Sequence, residues 1–283
     1  MHTFQLKPDL VTQSVRHLGS IGRALGWRFN GIFIKIGKML QMNLQKKFAL
    51  ASIALFIFGH AYSQDNQLTD KERKEGWQLL FDGTSMNQWR KPNSDSFPSR
   101  GWIVENGVLF IEGGGQTGGD IITKEQFEDF EFTADFRLTE GATSGIKYSV
   151  HIFNPPVRGL GALLGPEYQL LDDEKHPDAK AGREGNRKLG SLYDILPSRT
   201  VNVLHPIGEW NTARIVSKGN HVEHWLNGVK VLEYDKTSDV YKNAFALSKF
   251  KEVKGYGDSA GGYLLLQDHG NKVFFKNLKI RKL

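Results

Sequence analysis

Two apolar runs joined by an Asn-Gly pair form the stretch Trp102-Ile103-Val104-Glu105-Asn106-Gly107-Val108-Leu109-Phe110-Ile111. Asn-Gly between apolar runs is the strongest short-range signal for a two-residue β-hairpin. The same signal recurs at Asn227-Gly228, which joins the runs 221–226 and 229–234. Both stretches predict antiparallel β-structure, one near each end of the folded part of the chain.

Short runs with strand character surround these hairpins. Phe130–Leu138 alternates apolar and polar residues, which is typical of a half-buried strand. The other predicted strands are 76–83, 120–123, 144–153, 167–171, 191–196, 210–216, 262–267 and 273–281. One helix is expected, at Tyr241–Phe250. Many short strands with almost no helix favour an all-β, antiparallel sandwich of two sheets over a closed barrel.

Residues 42–63 have the pattern of a secretory signal. Lys46 and Lys47 precede a short apolar run, and Ala61-Tyr62-Ser63 places small residues where signal peptidase reads the chain. The apolar run is too short for a comfortable membrane span. We therefore expect cleavage after Ser63 and a periplasmic or secreted protein with no stable membrane span in the mature chain. An uncleaved N-terminal anchor is the alternative.

The signal also sets the expected domain boundaries. Met42 stands directly before it, so residues 1–41 are interpreted as an upstream extension from a mis-assigned start, with a targeting extension as the alternative. Residues 64–75 are polar and predict a linker with a helical turn. Residues 76–283 are long enough to form one domain with a sizeable core.

Composition excludes two classes of function. Eight of the 37 Lys and Arg residues but one of the 31 Asp and Glu residues lie in residues 1–63, which leaves the rest of the chain with a net charge of −1. We therefore expect no nucleic-acid partner. The chain has no cysteine, so a thiol nucleophile and a zinc–thiolate site are both excluded.

A long polar loop follows the predicted strand Glu167-Tyr168-Gln169-Leu170-Leu171. Strand alternation puts Glu167 and Gln169 on one face, which indicates a wet surface beside the loop. The loop carries acids and an imidazole at Asp172, Asp173, Glu174, His176 and Asp178. These donors would suit a divalent metal such as Ca, Mn or Zn, although their spacing matches no tight ligand motif and a solvated loop is the alternative.

Other strands offer polar sets of the same kind. Alternation places Lys147, Ser149 and His151 on one face of the strand 144–153. Gln267 and His269 share one side of another strand. His224, next to Trp225, is expected to be partly buried or at a rim, where an aromatic ring and hydrogen-bonding groups would suit a sugar. An ordinary solvated strand face is the alternative for each set.

A set of short motifs resembles the 3-keto-disaccharide hydrolase domain family, in the family's order from Gly76 to the C-terminus. The matching residues are Gly76-Trp77, Leu80-Phe81-Asp82-Gly83, Trp89, Ser144-Gly145-Ile146, Glu167-Tyr168-Gln169-Leu170-Leu171-Asp172, Trp210-Asn211, Leu226-Asn227-Gly228, Gln267-Asp268-His269-Gly270 and Phe275-Lys276-Asn277-Leu278-Lys279-Ile280. The resemblance implies a concanavalin-like jelly-roll sandwich and a periplasmic role in carbohydrate breakdown.

The resemblance also implies a reaction. A 3-keto group acidifies the proton at C2 of the sugar, a base removes it, and the glycosidic oxygen leaves from C1 before water adds. This requires a base, a group that stabilises the enolate and an acid for the leaving group. Glu167 or His176 is expected to be the base, and Lys147, or a metal near His176 and Asp172, to stabilise the enolate. Substrate hydroxyls are assigned to Gln169, Asp172, Arg187, Tyr193, His224, Gln267 and His269.

Two other functions fit the same residues. A jelly roll can be a non-catalytic carbohydrate-binding module, because fold does not fix function. A pair of carboxylates, such as Glu167 with Asp172 or Glu223, could make an ordinary glycoside hydrolase.

Overall fold

The computed structural model describes residues 65–115, 117–199, 203–257 and 261–283. The expectations for residues 1–41 and 42–63 lie outside these residues. The described residues form fourteen strands: β1 (Gln78–Leu79), β2 (Trp89–Arg90), β3 (Trp102–Glu105), β4 (Val108–Ile111), β5 (Ile121–Thr123), β6 (Phe130–Leu138), β7 (Thr143–Val157), β8 (Gly161–Leu164), β9 (Glu167–Leu171), β10 (Asn211–Lys218), β11 (His221–Leu226), β12 (Val229–Asp235), β13 (Tyr263–Leu266) and β14 (Val273–Lys282).

The strands form two antiparallel sheets, so the predicted all-β, antiparallel jelly-roll sandwich is confirmed. The eight-stranded sheet has the order β12-β11-β10-β6-β14-β4-β3, with β1 paired to β14. The six-stranded sheet has the order β2-β5-β13-β7-β8, with β9 paired to β7. The last strand, β14, thus lies inside the larger sheet, between β6 and β4.

Both Asn-Gly hairpins form as predicted. Asn106 and Gly107 have φ of 50° and 77°, and Asn227 and Gly228 have φ of 49° and 81°. Positive φ at both central residues is the geometry of the hairpin turn whose twist matches that of the strands, and Asn and Gly are the residues that adopt it most readily. The pairs β3–β4 and β11–β12 follow from these turns.

The core lies between the two sheets and follows from strand alternation. In β6, the side chains of Phe130, Phe132 and Phe136 are fully buried, while Thr133 and Asp135 face outward. The six-stranded sheet contributes residues such as Tyr148 and Tyr168 to the same core. Burial of each large apolar side chain contributes about 1.5–3 kcal/mol, so the two inner faces hold the sandwich together without disulfides.

One prediction about alternation is wrong, because β7 contains a bulge. Ser149 has a φ of 47°, and the pairing of β7 with β13 shifts register at this point. The extra residue moves Val150 to the outer face of the sheet, where it packs with Ile122 and Leu265. Ser149 itself is buried, and from the bulge onward the alternation of β7, including His151, is displaced by one residue. Neither Ser149 nor His151 therefore shares the face of Lys147, as strict alternation predicts they would.

The segment Ser191–Leu196 is not a strand, contrary to the prediction. It forms compact turns with isolated bridges from Leu192 to Tyr168 and to Leu196. Asp194 adopts a φ of 63°, which breaks an extended chain. The apolar side chains of the segment are buried, which explains why its sequence has the appearance of a strand.

Two helices are present in the described part of the chain. The helix α1 (Asp70–Lys74) begins with a complete capping box between Thr69 and Glu72. The helix α2 (Asp239–Ala246) is capped at its N-terminus by Ser238. It starts two residues before the predicted start, Tyr241, and ends four residues before the predicted end, Phe250. No helix among the described residues is long and apolar enough to cross a membrane.

The stretch predicted as a linker, 64–75, packs on the sandwich in its described part. The backbone N–H of Asn66 donates to Asn277 Oδ1 at 2.6 Å, and the N–H of Asn277 donates to Asn66 Oδ1 at 2.9 Å. Lys279 Nζ contacts Glu72 Oε1 at 2.7 Å. The structured unit therefore begins before Gly76.

Candidate active site

A polar cleft of about 540 Å³ opens on the outer face of the six-stranded sheet. Strands β7 and β9 supply its floor, and the long loop after β9 supplies one wall. The sequence-predicted residues that line it are Lys147, Glu167, Gln169, His176, Tyr193, Gln267 and His269. The structure thus brings together seven residues that are spread over more than a hundred positions of the sequence.

Strand pairing explains why the charged residues of the floor meet. Glu167 and Gln169 share the outer face of β9, as alternation predicts, while Tyr168 lies in the core. Lys147 on β7 is directly opposite Glu167 in the antiparallel register. Residues directly opposite each other point to the same face, so the lysine and the glutamate lie side by side.

The carboxylate of Glu167 is buried at the bottom of the cleft. Only 4% of the residue is exposed, and Lys147 Nζ lies 3.9 Å from its Oε2. Burial raises the pKa of Glu167, and the positive charges of Lys147 and Lys249 offset this in part. The result is a carboxylate that is a stronger base than an ordinary exposed glutamate.

A glycine makes room for this carboxylate. A Cβ atom at Gly145 would lie 2.2 Å from Oε1 of Glu167, which is closer than any real contact. Ser144 and Gln267 fix the strand on either side, because Ser144 Oγ donates to the Gln267 carbonyl at 2.8 Å and the Gln267 N–H donates to the Gly145 carbonyl at 3.0 Å. The Ser144-Gly145-Ile146 motif therefore has a structural role: it leaves room for the carboxylate of the candidate base.

An ion-pair network stiffens the loop wall. Arg187 donates to Asp178 Oδ1 at 2.8 Å and, through Nε, to Asp194 Oδ1 at 2.9 Å. The hydroxyl of Tyr193 donates to Asp178 Oδ2 at 2.9 Å. Burial raises the pKa of Asp178, but the bonds from Arg187 and Tyr193 outweigh it and leave the pKa lowered. Arg187 thus lies behind the cleft lining, where it holds Asp178 and Tyr193 in place.

The histidines of the cleft differ in their surroundings. His176 Nδ1 accepts a hydrogen bond from the backbone N–H of Asp178 at 3.2 Å, at the start of the 3-10 turn Pro177–Lys180. A neutral His176 ring therefore carries its proton on Nε2. Burial lowers the pKa of His269, which keeps its imidazole neutral at pH 7.

Asp172 does not line the cleft, contrary to the prediction that it contacts the substrate or a metal there. One carboxylate oxygen accepts from the N–H of Gly141 at 2.8 Å, and the other accepts from the N–H groups of Glu174 and Lys175 at 3.1 and 3.2 Å. Burial raises the pKa of Asp172, and these bonds outweigh it and leave the pKa lowered. Asp172 fixes the start of the loop.

His224 lies in the core, so its predicted contact with the substrate is wrong. The residue is 0% exposed. Its Nδ1 donates to the Gly190 carbonyl at 2.9 Å, and its Nε2 accepts from the Tyr148 hydroxyl at 2.8 Å. Burial lowers the pKa of His224 to about 4, so the ring is neutral at pH 7. It is a satisfied core histidine between the two sheets.

The acidic loop does not assemble the expected ligand set for a divalent metal. Asp172 uses both oxygens for backbone N–H groups, Asp173 accepts from the N–H of Leu189, and Asp178 is paired with Arg187. In the described ranges the one compact group of metal-type ligands is His221, Glu223 and Glu233, on the other sheet. Lys230 already contacts both of those carboxylates. We therefore assign no reaction step to a metal.

Lys249 and Phe250 are among the residues of the cleft that sequence reasoning missed. Lys249 follows α2, and its Nζ lies 4.4 Å from the centroid of the Tyr193 ring. Its backbone N–H donates to Asp194 Oδ2 at 2.7 Å, which places it against the loop wall. Burial lowers the pKa of Lys249. Phe250 adds an apolar wall next to it. No local pattern marks Lys249, because its partner Asp194 is fifty-five positions away.

The structure is thus a two-sheet jelly-roll sandwich with a buried carboxylate in a polar cleft. Residues 76–281 match the model of the family described as the 3-keto-alpha-glucoside-1,2-lyase-like domain. The chain belongs to this family, so the resemblance drawn from the motifs and the expected class of glycoside-cleaving enzyme are confirmed.

Known proteins support this membership. A 3-keto-disaccharide hydrolase from Bacteroides thetaiotaomicron is 33% identical over 231 residues, which cover 74% of this chain and 79% of that protein. The crystal structure of a candidate glycosyl hydrolase from Parabacteroides distasonis is 35% identical with a TM-score of 0.66, and the match covers 78% of this chain and all of that chain. A second candidate glycosyl hydrolase from the same organism is 27% identical with a TM-score of 0.53, over 73% of this chain and 99% of that chain.

Proposed function

We propose that this protein cleaves 3-keto-glycosides by removing the proton at C2 and eliminating the glycosidic oxygen from C1. The observation that carries the proposal is the buried carboxylate of Glu167, which lies in the cleft with its nearest cation at 3.9 Å. A base that works near pH 7 needs a pKa above that of an ordinary glutamate, and desolvation raises the pKa of Glu167 in this direction.

Glu167 is a better candidate for the base than His176. The Nδ1 atom of His176 accepts a hydrogen bond from its own loop, which leaves Nε2 as a donor in the neutral ring. A donor at the cleft wall suits a hydroxyl group or the departing oxygen. Tyr193, whose hydroxyl donates to Asp178, is held in place for substrate contacts rather than for proton removal.

The positive charge near Glu167 suits an enolate. When the C2 proton moves to the Glu167 carboxylate, the electron pair spreads onto the oxygen at C3. Lys147 is beside Glu167 and Lys249 also lines the cleft, so both contribute positive charge that favours an anion formed there. Lys147 therefore stabilises the enolate in this proposal, and Lys249 is a second source of positive charge.

The elimination and the addition of water that follow need no oxidant or reductant. The C3 carbonyl re-forms, a double bond forms between C1 and C2, and the bond from C1 to the glycosidic oxygen breaks with its electrons on the oxygen. That oxygen takes a proton, for which the Nε2–H of His176 and the ring N–H of His269 are candidate donors. Addition of water across C1 and C2 completes a net hydrolysis. Gln169 and Gln267, which line the floor, are assigned to sugar hydroxyls.

The test compares a 3-keto-glucoside with its unoxidised parent glucoside, each with and without a chelator, and measures release of the leaving group. Cleavage of the keto sugar alone supports elimination. Cleavage of the parent sugar would point to an ordinary glycoside hydrolase with two carboxylates. Binding of either sugar without cleavage would point to a carbohydrate-binding module, and sensitivity to the chelator would place a metal in the reaction.

We also propose that the protein is exported, on the basis of the signal-like residues 42–63. The proposal is supported by the sequence pattern of a basic start, a short apolar run and small residues at 61 and 63. Mass spectrometry of the protein purified from its cells gives the test. A mature N-terminus at Gln64 in the periplasmic or secreted fraction is expected, and an intact N-terminal segment on a cytoplasmic protein would contradict it.

A further inference from the structure

The reaction proposed above uses Lys249 only for its positive charge, although its amine is placed for more than that. Lys249 lines the same cleft as Glu167 and Lys147. Its Nζ lies 4.4 Å from the centroid of the Tyr193 ring and 5.0 Å from the centroid of the Phe250 ring. Lys249 is an exposed residue, so a substrate in the cleft can reach its amine.

The backbone that carries Lys249 is fixed beside the candidate base. The N–H of Lys249 donates to Asp194 Oδ2 at 2.7 Å. The N–H of Tyr193, whose ring contacts the Lys249 amine, donates to the carbonyl of Glu167 at 3.0 Å. The amine and the carboxylate are therefore held on neighbouring walls by the same turn of the loop.

The two lysines of the cleft differ in their partners. Lys147 forms an ion pair with Glu167 at 3.9 Å, and its side chain is 13% exposed. The contacts of Lys249 Nζ are the rings of Tyr193 and Phe250, and no carboxylate lies within ion-pairing distance of it in the described ranges. Lys249 thus has no partner that holds its proton in place.

The surroundings of Lys249 favour the neutral amine. Burial lowers the pKa of Lys249, and the charges of Lys147 and Arg187 act in the same direction. The carboxylates of Glu167 and Asp194 oppose this change in pKa without reversing it. Apolar surroundings and a neighbouring cation are the two conditions that turn a lysine amine into a nucleophile.

The substrate of the proposed reaction carries the group that such an amine attacks. A neutral primary amine condenses with a ketone to form a Schiff base. The ketone is at C3, directly next to the C2 atom that gives its proton to Glu167. The base and the amine would therefore act on adjacent atoms of one sugar, and the flexible four-carbon stem of Lys249 allows its amine to approach C3.

We propose that Lys249 is a covalent catalyst, which forms a Schiff base with C3 of the 3-keto sugar before Glu167 removes the proton from C2. The inference rests on the proposed cleavage of 3-keto-glycosides in this cleft. It keeps Glu167 as the base, the elimination from C1 and the addition of water, and it replaces the enolate by an enamine.

Formation of the Schiff base balances with one proton and one water. The Lys249 amine attacks C3, and the carbonyl oxygen leaves as water with one proton from the amine and one from solvent. The C2 proton then moves to the Glu167 carboxylate. The electron pair of the C2–H bond forms a double bond between C2 and C3, and the pair of the C3–N double bond moves to nitrogen, which gives a neutral enamine.

Elimination reverses this movement of electrons. The nitrogen pair re-forms the C3–N double bond, a double bond forms between C1 and C2, and the bond from C1 to the glycosidic oxygen breaks with its electrons on that oxygen. Water then hydrolyses the Schiff base, which restores the C3 ketone and the Lys249 amine. The water and the proton exchanged at the start are returned, so no oxidant or reductant is needed.

The first test traps the Schiff base on a ketone that has no leaving group. The probe is the 3-keto derivative of 1,5-anhydroglucitol, with cyanoborohydride, which reduces iminium ions and spares ketones. We expect a stable adduct on Lys249, with a mass equal to that of the sugar less one oxygen atom, located by mass spectrometry of peptides. Lys251 is exposed two residues further along and should stay unmodified, which controls for non-specific labelling.

The second test separates a covalent role from a purely electrostatic one. Lys249→Arg keeps the positive charge but removes the primary amine, so it is expected to lower kcat on methyl 3-keto-glucoside by about 100-fold or more and to give no adduct. Lys251→Arg is the matched control and should leave kcat unchanged. Thermal melting of both variants checks that each is folded.

The outcomes separate this inference from the proposed function. If the wild type cleaves methyl 3-keto-glucoside but gives no adduct, or gives it on Lys147, the inference is overturned and the proposed function stands. A near-normal kcat for Lys249→Arg would overturn it as well. If the wild type does not cleave methyl 3-keto-glucoside, the proposed function fails and the inference fails with it.

Discussion

Two glutamates on opposite sheets of the sandwich are almost equally buried but have different partners. Glu131 on β6 is 5% exposed, and Glu167 on β9 is 4% exposed. Glu131 is held by two arginines: Arg281 Nε donates to its Oε2 at 2.7 Å, and Arg214 Nε donates to its Oε1. Glu167 has Lys147 at 3.9 Å, beyond hydrogen-bonding distance.

The difference shows what marks a reactive carboxylate in this fold. A buried carboxylate that receives several charge-assisted hydrogen bonds has its oxygens occupied by donors. A buried carboxylate that lacks them keeps its affinity for a proton. Burial alone would select both carboxylates, whereas the absence of a close donor among the described residues selects Glu167. The predictions below compare the two residues directly.

The largest expected effect is on catalysis. Glu167→Gln is expected to lower kcat/KM on a 3-keto-glucoside by about 10²- to 10⁴-fold, because the amide cannot accept the C2 proton. Glu131→Gln is the matched control, with the same substitution at the same burial, and its kcat/KM should stay within about twofold of the wild type. Steady-state kinetics on the two purified variants measure this. A near-normal rate for Glu167→Gln would remove Glu167 from the mechanism.

The second effect concerns the space beneath the carboxylate. Gly145→Ala is expected to lower kcat/KM by about 10- to 100-fold, since the new Cβ forces the carboxylate of Glu167 out of position. Gly145 does not have a positive φ, so alanine fits its backbone conformation. Kinetics and a thermal melt of this variant are the measurements. Unchanged kinetics in a folded protein would show that the position of this carboxylate is not critical.

The third effect is on stability, and it has opposite signs for the two residues. Glu131→Gln is expected to lower the free energy of unfolding by about 1–3 kcal/mol, because two arginines lose their anionic partner. The side chains of Arg214 and Arg281 are 36% and 29% exposed, so water recovers part of this loss. Urea unfolding at pH 7 measures the change. An unfolding free energy equal to that of the wild type would show that the arginine bonds contribute no net stability.

Glu167→Gln is expected to raise the free energy of unfolding at pH 7. The pKa of Glu167 is higher in the folded protein than the value of 4.5 for a free glutamate. The favourable contribution of Glu167 to the free energy of unfolding is therefore complete below about pH 4.5, and it is lost as the pH rises through the folded-state pKa of Glu167. The difference in the free energy of unfolding between the Glu167→Gln variant and the wild type should therefore vanish at low pH. A variant that is less stable than the wild type at pH 7 would contradict this.

The smallest expected effect is a shift in a pH profile. Lys147→Met removes a positive charge that favours the ionised form of Glu167, so the pKa of Glu167 rises further. The acidic limb of the profile of kcat/KM against pH is then expected to move to higher pH. Lys230→Met on the other sheet is the control and should leave the limb in place. A limb that does not move would place the titrating group elsewhere.

The fold could be predicted from the sequence where its signals are local. Asn106-Gly107 and Asn227-Gly228 fix their hairpins by the conformational preferences of two residues each. The pair Glu167 and Gln169 could also be placed together, because two residues of one strand share a face wherever the strand is regular. The bulge at Ser149 broke the same rule in β7, and its cause is tertiary: Gly165 and Gly262 leave room for the bulged backbone.

The parts of the candidate site that escaped prediction depend on distant contacts. His224 and Glu167 are both polar residues on strands, but the first points between the sheets and the second points into the cleft. Alternation puts His224 on the face of Val222 and Leu226, but its complete burial depends on the hydrogen bonds to Tyr148 and Gly190. Lys249 comes to the cleft through a bond to Asp194, fifty-five positions earlier in the chain. No pattern within either segment reports such a contact.

The position of β14 has a consequence for the order of folding. Its ten residues pair with β6, β4 and β1, so the centre of the larger sheet is completed by the strand that follows all the others in sequence. The earlier strands cannot close that sheet while the C-terminal segment is missing. Contacts between such distant parts of a sequence are formed slowly, since a long loop must close before each of them. The larger sheet therefore closes only after β14 has been made, and its strands fold cooperatively.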